Sequence, residues 1–170
     1  MPVTCRLHSA ETNRRIAKNK KMVLILSIDR QEVLGEVAQM TAYAGAKKDD
    51  DANAIERITT VKDDDVELMR FWDECRAEVA QAFMRLLSSE GMDGERYELR
   101  LNVSCAFDMA LSEGMRLGLF AYFVQRIAGK WYVYTNKGDA GECASRAAAL
   151  LNEVKEKAFY KKQPVRPRYD

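Results

Sequence analysis

The fold turns on residues 108–162, DMALSEGMRLGLFAYFVQRIAGKWYVYTNKGDAGECASRAAALLNEVKEKAFYKK. Asp108 is placed to cap a helix. Leu111, Phe120, Phe123, Val124, Ile127, Trp131 and Tyr134 follow it as a heavy aromatic stripe. Gly138-Asp139 breaks the chain and recaps it, and a second helix returns along Ala140, Cys143, Ala144, Ala147, Leu151, Val154 and Ala158. Large side chains facing alanines let two helices approach closely and interdigitate. With so short a connection, the pair is expected to form an antiparallel hairpin from Asp108 to Lys162. Its expected core is Phe120, Phe123, Val124, Ile127, Trp131, Leu151 and Val154, and truncating Trp131 should cost roughly 3–5 kcal/mol. Gly114 and Gly118 share one face of the first helix. They either admit a closely packed neighbour or loosen the first turns.

Upstream, Tyr97, Leu99, Leu101, Val103 and Cys105 alternate with Glu98, Arg100, Asn102 and Ser104. A period of two marks a strand with one wet face. Its expected partner is the β-prone run Met22 to Ile28, giving a small two-stranded element that either packs on helices or is completed by a neighbouring subunit. Asp29 reads as an N-cap with Glu32 three residues on. Val33, Leu34, Val37, Thr41 and Ala44 then keep helical spacing from about Arg30 to Ala44, and Gly45 reads as the stop. Lys47 to Asn53 reads as loop. A second helix begins at Asp63-Asp64-Asp65, where carboxylates favour the positive end of the helix dipole. Leu68, Trp72, Cys75, Val79, Phe83 and Leu86 give it about six turns of apolar stripe. Ser88 to Gly94 reads as the turn that ends it, through Gly91-Met92-Asp93-Gly94.

The result is a mainly α chain: a helical bundle with a C-terminal antiparallel hairpin and a small two-stranded β element. Its organisation is a basic arm over 1–21, one helical domain over 22–162 and an extended basic tail over 163–170, where Pro164 and Pro167 end regular structure. At 170 residues and 47% hydrophobic, the chain suffices for one core. Runs such as Met22 to Leu26 are too short to span a bilayer, and the polar, basic start lacks the features of a secretory signal. Folding in a cytoplasm is expected.

Cys5, Cys75, Cys105 and Cys143 are scattered without a C-x-x-C pair, and Cys75 and Cys143 fall on apolar helix faces as small buried hydrophobes. Net charge is +1 but unevenly spread. Arg6, Arg14, Arg15, Lys18, Lys20 and Lys21 stand near one end against Glu11, while Lys161, Lys162, Arg166 and Arg168 stand near the other. Asp49-Asp50-Asp51 and Asp63-Asp64-Asp65 lie between. Such blocks are either solvated loops or complementary patches for head-to-tail self-association.

Signs of catalysis are sparse. His8 is the one histidine and lies in the arm, so a Cys/His zinc site, which needs about three or four ligands, is not expected. No phosphate-binding glycine loop or nucleophile elbow occurs, and Gly129-Lys130 sits mid-helix. The aspartate runs do not follow the calcium-loop pattern. Neither an enzyme nor a cofactor is expected.

Leu119 to Tyr132 reads LFAYFVQRIAGKWY, followed by Asn136, Ala140, Arg146-Ala147-Ala148-Ala149-Leu150-Leu151 and Gln163-Pro164-Val165-Arg166-Pro167. This order resembles the C-terminal half of head–tail connector proteins of tailed bacteriophages. In these, a Tyr-aliphatic-Val helix reaches a Trp, turns, and returns as an alanine-rich helix ending in a basic Pro-Val-Arg tail. The resemblance spans roughly 22–168, with its detail in the last fifty or so residues. The basic arm is a departure from it.

The resemblance implies a structural virion protein in the neck, made in the host cytoplasm. It would be one subunit of a closed ring of about twelve copies joining portal to tail. The implied partners are other copies, the portal protein, tail or other neck proteins, and packaged double-stranded DNA held non-specifically; no membrane is implied. Arg14, Arg15, Lys18, Lys20, Lys21, Lys161, Lys162, Arg166 and Arg168 are the candidate contacts with partners or DNA phosphates. Two rivals stand beside it: a small DNA-binding regulator using the N-terminal arm, and a small enzyme using the aspartate clusters with a metal.

Overall fold

A computed structural model describes residues 21–48 and 53–162. Three strands form one antiparallel sheet in the order β1-β3-β2: β1 is Lys21–Asp29, β2 Leu87–Asp93 and β3 Arg96–Ser104. Five α-helices accompany it: α1 (Arg30–Ala46), α2 (Ala54–Ile58), α3 (Asp65–Ala82), α4 (Ser112–Thr135) and α5 (Lys137–Phe159). Short 3-10 turns at Lys62–Asp64 and Met109–Leu111 lead into α3 and α4. The molecule is mainly helical, and α4 and α5 pack as the expected hairpin.

The sheet buries one face. Leu24, Leu26 and Ile28 of β1 and Tyr97, Leu99, Leu101 and Val103 of β3 point inward, as the period of two requires. Val23 and Ile25 are about half exposed on the other face. The core closes where α3, β3 and α4 meet. Trp72 lies 4.6 Å from Phe123, centroid to centroid, and meets Tyr97 edge-on at 6.2 Å. Such tilted and edge-to-face contacts suit the ring quadrupoles and add to the area buried.

Several boundaries differ from the sequence reading. The sheet has three strands, not two: β2 occupies the stretch read as a turn, and the reversal is the two-residue Gly94-Glu95, with Gly94 at φ +59. As an edge strand with a bulge between Leu87 and Ser89, β2 shows no clean alternation. Lys21 begins β1 and so does not belong to an arm, and Cys105 lies exposed just past β3. Asp29 does cap α1, accepting from the Gln31 and Glu32 amides. Gly45, however, lies inside that helix; a Cβ there would stand 2.9 Å from the Ile55 Cα, so it is a backbone-to-backbone contact with α2 rather than a stop. Helix α3 ends at Ala82, with Phe83 as its C-cap and Leu86 beyond it.

The hairpin also turns earlier than expected. One residue, Asn136, separates α4 from α5, and Gly138 and Asp139 already lie in the first turn of α5. Asn136 is buried; its amide donates to Asp139 Oδ2 at 2.5 Å, and its oxygen accepts from Lys48 Nζ at 2.9 Å. Two polar partners make the break possible without a glycine. The pair runs from Ser112 to Phe159 rather than Asp108 to Lys162, with Asp108 capping the preceding 3-10 turn through the Ala110 amide.

Of the proposed hairpin core, Phe123, Val124, Ile127 and Val154 are buried, while Phe120, Trp131 and Leu151 are only partly so. Tyr134 is 69% exposed and falls off the stripe. Met115, Leu119, Tyr122, Ala128 and Tyr132 are buried on α4 instead. Gly118 takes the close approach: a Cβ there would come within 2.7 Å of Val154 Cγ2, while one at Gly114 would meet only Lys157 Nζ at 3.8 Å. Gly129 makes the second close approach, at 3.2 Å from Cys143 Cβ.

Candidate assembly surfaces

Polar chemistry concentrates first between α3 and α4. Glu78 accepts from Tyr122 Oη at 2.7 Å and from Arg126 Nε at 2.8 Å, and pairs with Lys130 Nζ at 3.1 Å; Lys130 also reaches Glu74 at 2.7 Å. Burial pushes the Glu78 carboxyl up, but the hydrogen bonds from Arg126, Tyr122 and Lys130 outweigh it and hold it at about 2. A carboxylate saturated by three donor groups has no free lone pair aimed at a substrate. It works as a clamp between two helices. Burial and then the nearby Glu78 push the Cys75 thiol up to about 12, leaving it neutral and unreactive. Burial raises Cys143 as well.

A groove of about 430 Å³ opens between α1 and the first half of α5. Met40, Tyr43 and Ala44 from α1, with Tyr132 and Cys143, make its apolar lining. Lys47, Lys48 and Arg146 stand at it with Asp139 and Glu142. Much of that charge has a partner: Glu142 holds Arg146 at 2.6 Å, Asp139 accepts from Asn136, and Lys47 lies 4.4 Å above the Tyr43 ring. The sequence reading missed this groove, although Met40, Tyr43, Ala44 and Lys47 carry helical spacing on a second face of α1.

The other side of that helix end is equally well defined. Thr41 and Gly45 face α2: the Thr60 amide donates to Thr41 Oγ1 at 3.2 Å, and Gly45 abuts Ile55. Trp131 Nε1 donates to the Ile58 carbonyl at 2.6 Å and fixes α2 to the end of α4. The chain then emerges as a corner, Val61 to Glu67, in which every residue but Asp64 is exposed. Val61 is 55% and Val66 79% exposed.

The candidate contact residues divide. Lys21, Lys161 and Lys162 are exposed, and the fold brings them to one corner: Lys21 pairs with Ser104, and the Lys162 amide donates to the Ala106 carbonyl at 2.8 Å. Arg14, Arg15, Lys18, Lys20, Arg166 and Arg168 lie outside the described residues, as do His8 and Asp49-Asp50-Asp51. Among the described residues, no group of three His, Cys, Asp or Glu side chains is placed to hold a metal ion. No helix among them is long and apolar enough to cross a membrane. Comparison with protein-family models, with curated proteins and with solved structures finds no match.

Proposed function

We propose that this chain is a structural subunit of a head–tail connector ring in a tailed-phage neck, joining portal to tail around the DNA channel. The observation that carries the reading is the residue order from Leu119 to Pro167: Tyr122-Phe123-Val124, Trp131, the alanine-rich return and Pro164-Val165-Arg166-Pro167. The fold supports it by giving the part of that order from Leu119 to Leu151 the expected hairpin, tied to α3 by the Glu78 clamp. A ring subunit needs a rigid body with unlike patches on two sides, because only a heterologous contact repeats around an axis. The α1–α5 groove and the Val61–Glu67 corner are such a pair. On this reading the basic corner at Lys21 and Lys162 meets neighbouring rings or DNA phosphates, without base recognition.

Electron microscopy of the purified chain, alone and with the portal protein of its gene neighbourhood, tests this. Closed rings with a hole wide enough for a DNA duplex are expected. Tight sequence-selective binding to DNA by a monomer or dimer, with no ring under either condition, would overturn the reading in favour of a DNA-binding regulator.

A further inference from the structure

We infer that the α1–α5 groove is the seat for the Val61–Val66 corner of a second copy of this chain. The inference rests on the ring reading for its purpose, but its argument is local. The groove has an apolar floor, and its border carries Lys47, Lys48 and Arg146 against Asp139 and Glu142, a net positive set. The corner offers a net negative set: exposed Val61 and Val66 flanking Lys62, Asp63, Asp64 and Asp65. Apolar side chains among mainly acidic neighbours, facing a greasy slot whose border is net basic, give both burial and register.

Geometry excludes the chain's own corner as occupant. On α1, Thr41 and Gly45 face α2, which leads into the corner, whereas Met40, Tyr43, Ala44 and Lys47 face the groove. The two surfaces therefore lie on opposite flanks of one helix end. The Trp131–Ile58 hydrogen bond and the Thr60–Thr41 hydrogen bond hold the corner on its own side. A groove on one flank and its complement on the other, at one level of the molecule, make a side-by-side contact that each copy repeats with the next.

Sedimentation of the full chain at low and high salt tests the contact, using two charge-reversed variants. One carries Lys47→Glu with Arg146→Glu in the groove; the other carries Asp63→Lys with Asp65→Lys at the corner. Circular dichroism confirms that each is folded. Wild-type self-association should weaken by about tenfold or more between 50 mM and 500 mM salt, because exposed charge pairs are screened. Each variant alone should associate at least about tenfold more weakly, and mixing the two in equal amounts should restore association, since each then meets its complement. A wild type that stays monomeric at low salt, variants that associate like wild type, or a mixture that fails to recover would overturn the contact. So would a groove variant that loses only DNA binding. Rings that persist in both variants would sink this interface and spare the connector reading. Salt-sensitive, rescuable association that yields only open chains, with the portal present, would do the reverse.

Discussion

The two flanks of α5 differ in how they meet their neighbours. Toward α4, the seam is closed by omission: Gly118 and Gly129 leave out side chains so that Val154 and Cys143 can fill the space. Toward α1, Met40, Tyr43 and Lys47 hold the helices apart and leave a groove. One helix thus carries a closed seam and an open groove. Close packing without voids marks contacts settled within the subunit. The gap, lined by apolar and charged groups together, is where the interface inferred above would form.

The contrast should break hardest at the seam. Gly129→Leu drives a side chain into Cys143 and the backbone of α5, and should cost about 3 kcal/mol in urea unfolding. A variant as stable as wild type would show that the seam yields. Next comes Trp131→Ala. Because Trp131 is only partly buried, the loss should be about 2–3 kcal/mol, below the full core value, and should include its hydrogen bond to Ile58. Loosening of α2, read by hydrogen exchange at Thr59 and Thr60, should accompany it.

The Glu78 clamp gives a smaller, pH-dependent effect. Its carboxyl sits at about 2 in the folded chain against 4.5 for the ordinary group. The stabilisation is therefore complete above about pH 4.5 and is lost as pH falls toward 2. With the carboxylate a third exposed, screening reduces this to about 1–2 kcal/mol. Glu78→Gln should flatten that part of the stability–pH curve, and an unchanged acid limb would show that other carboxylates set it. The smallest effect belongs to the groove. Tyr43→Ser should shift the monomer's stability by no more than about 0.5 kcal/mol, as expected of a 64% exposed side chain. A larger loss would mean that the groove supports the fold itself.

How far the sequence spoke for the fold depended on whether burial left a period behind. The hairpin was legible because α4 carries large residues and α5 small ones at helical spacing, and β3 because every second residue is buried. Strand β2 was not. Its inward-facing Glu90 is satisfied by Arg76 rather than by apolar contact, so its pattern reads as turn. Helix α2 spans five residues, too few for any period, and exists because Gly45 and Trp131 grip its backbone. The hairpin's break was misplaced because glycine is the usual signal, whereas here a buried asparagine with two polar partners does the work. The groove escaped for a related reason: its residues come from three helices, and no single stretch shows that they converge. The Asp63-Asp64-Asp65 run was visible at once, but its place on a different flank of the molecule from the groove required the fold.

The corner where Lys21 pairs with Ser104 and Lys162 with Ala106 has a mechanical consequence. Lys21 and Lys162, where the described residues begin and end, therefore sit at neighbouring points on one stretch of chain. Tension applied through those ends would load the β1–β3 ladder from its terminal rung, peeling it open one hydrogen bond at a time. The open end of the α4–α5 hairpin, where α4 begins at Ser112 and α5 ends at Phe159, lies by that same corner, so a pull on Lys162 would load the seam as well.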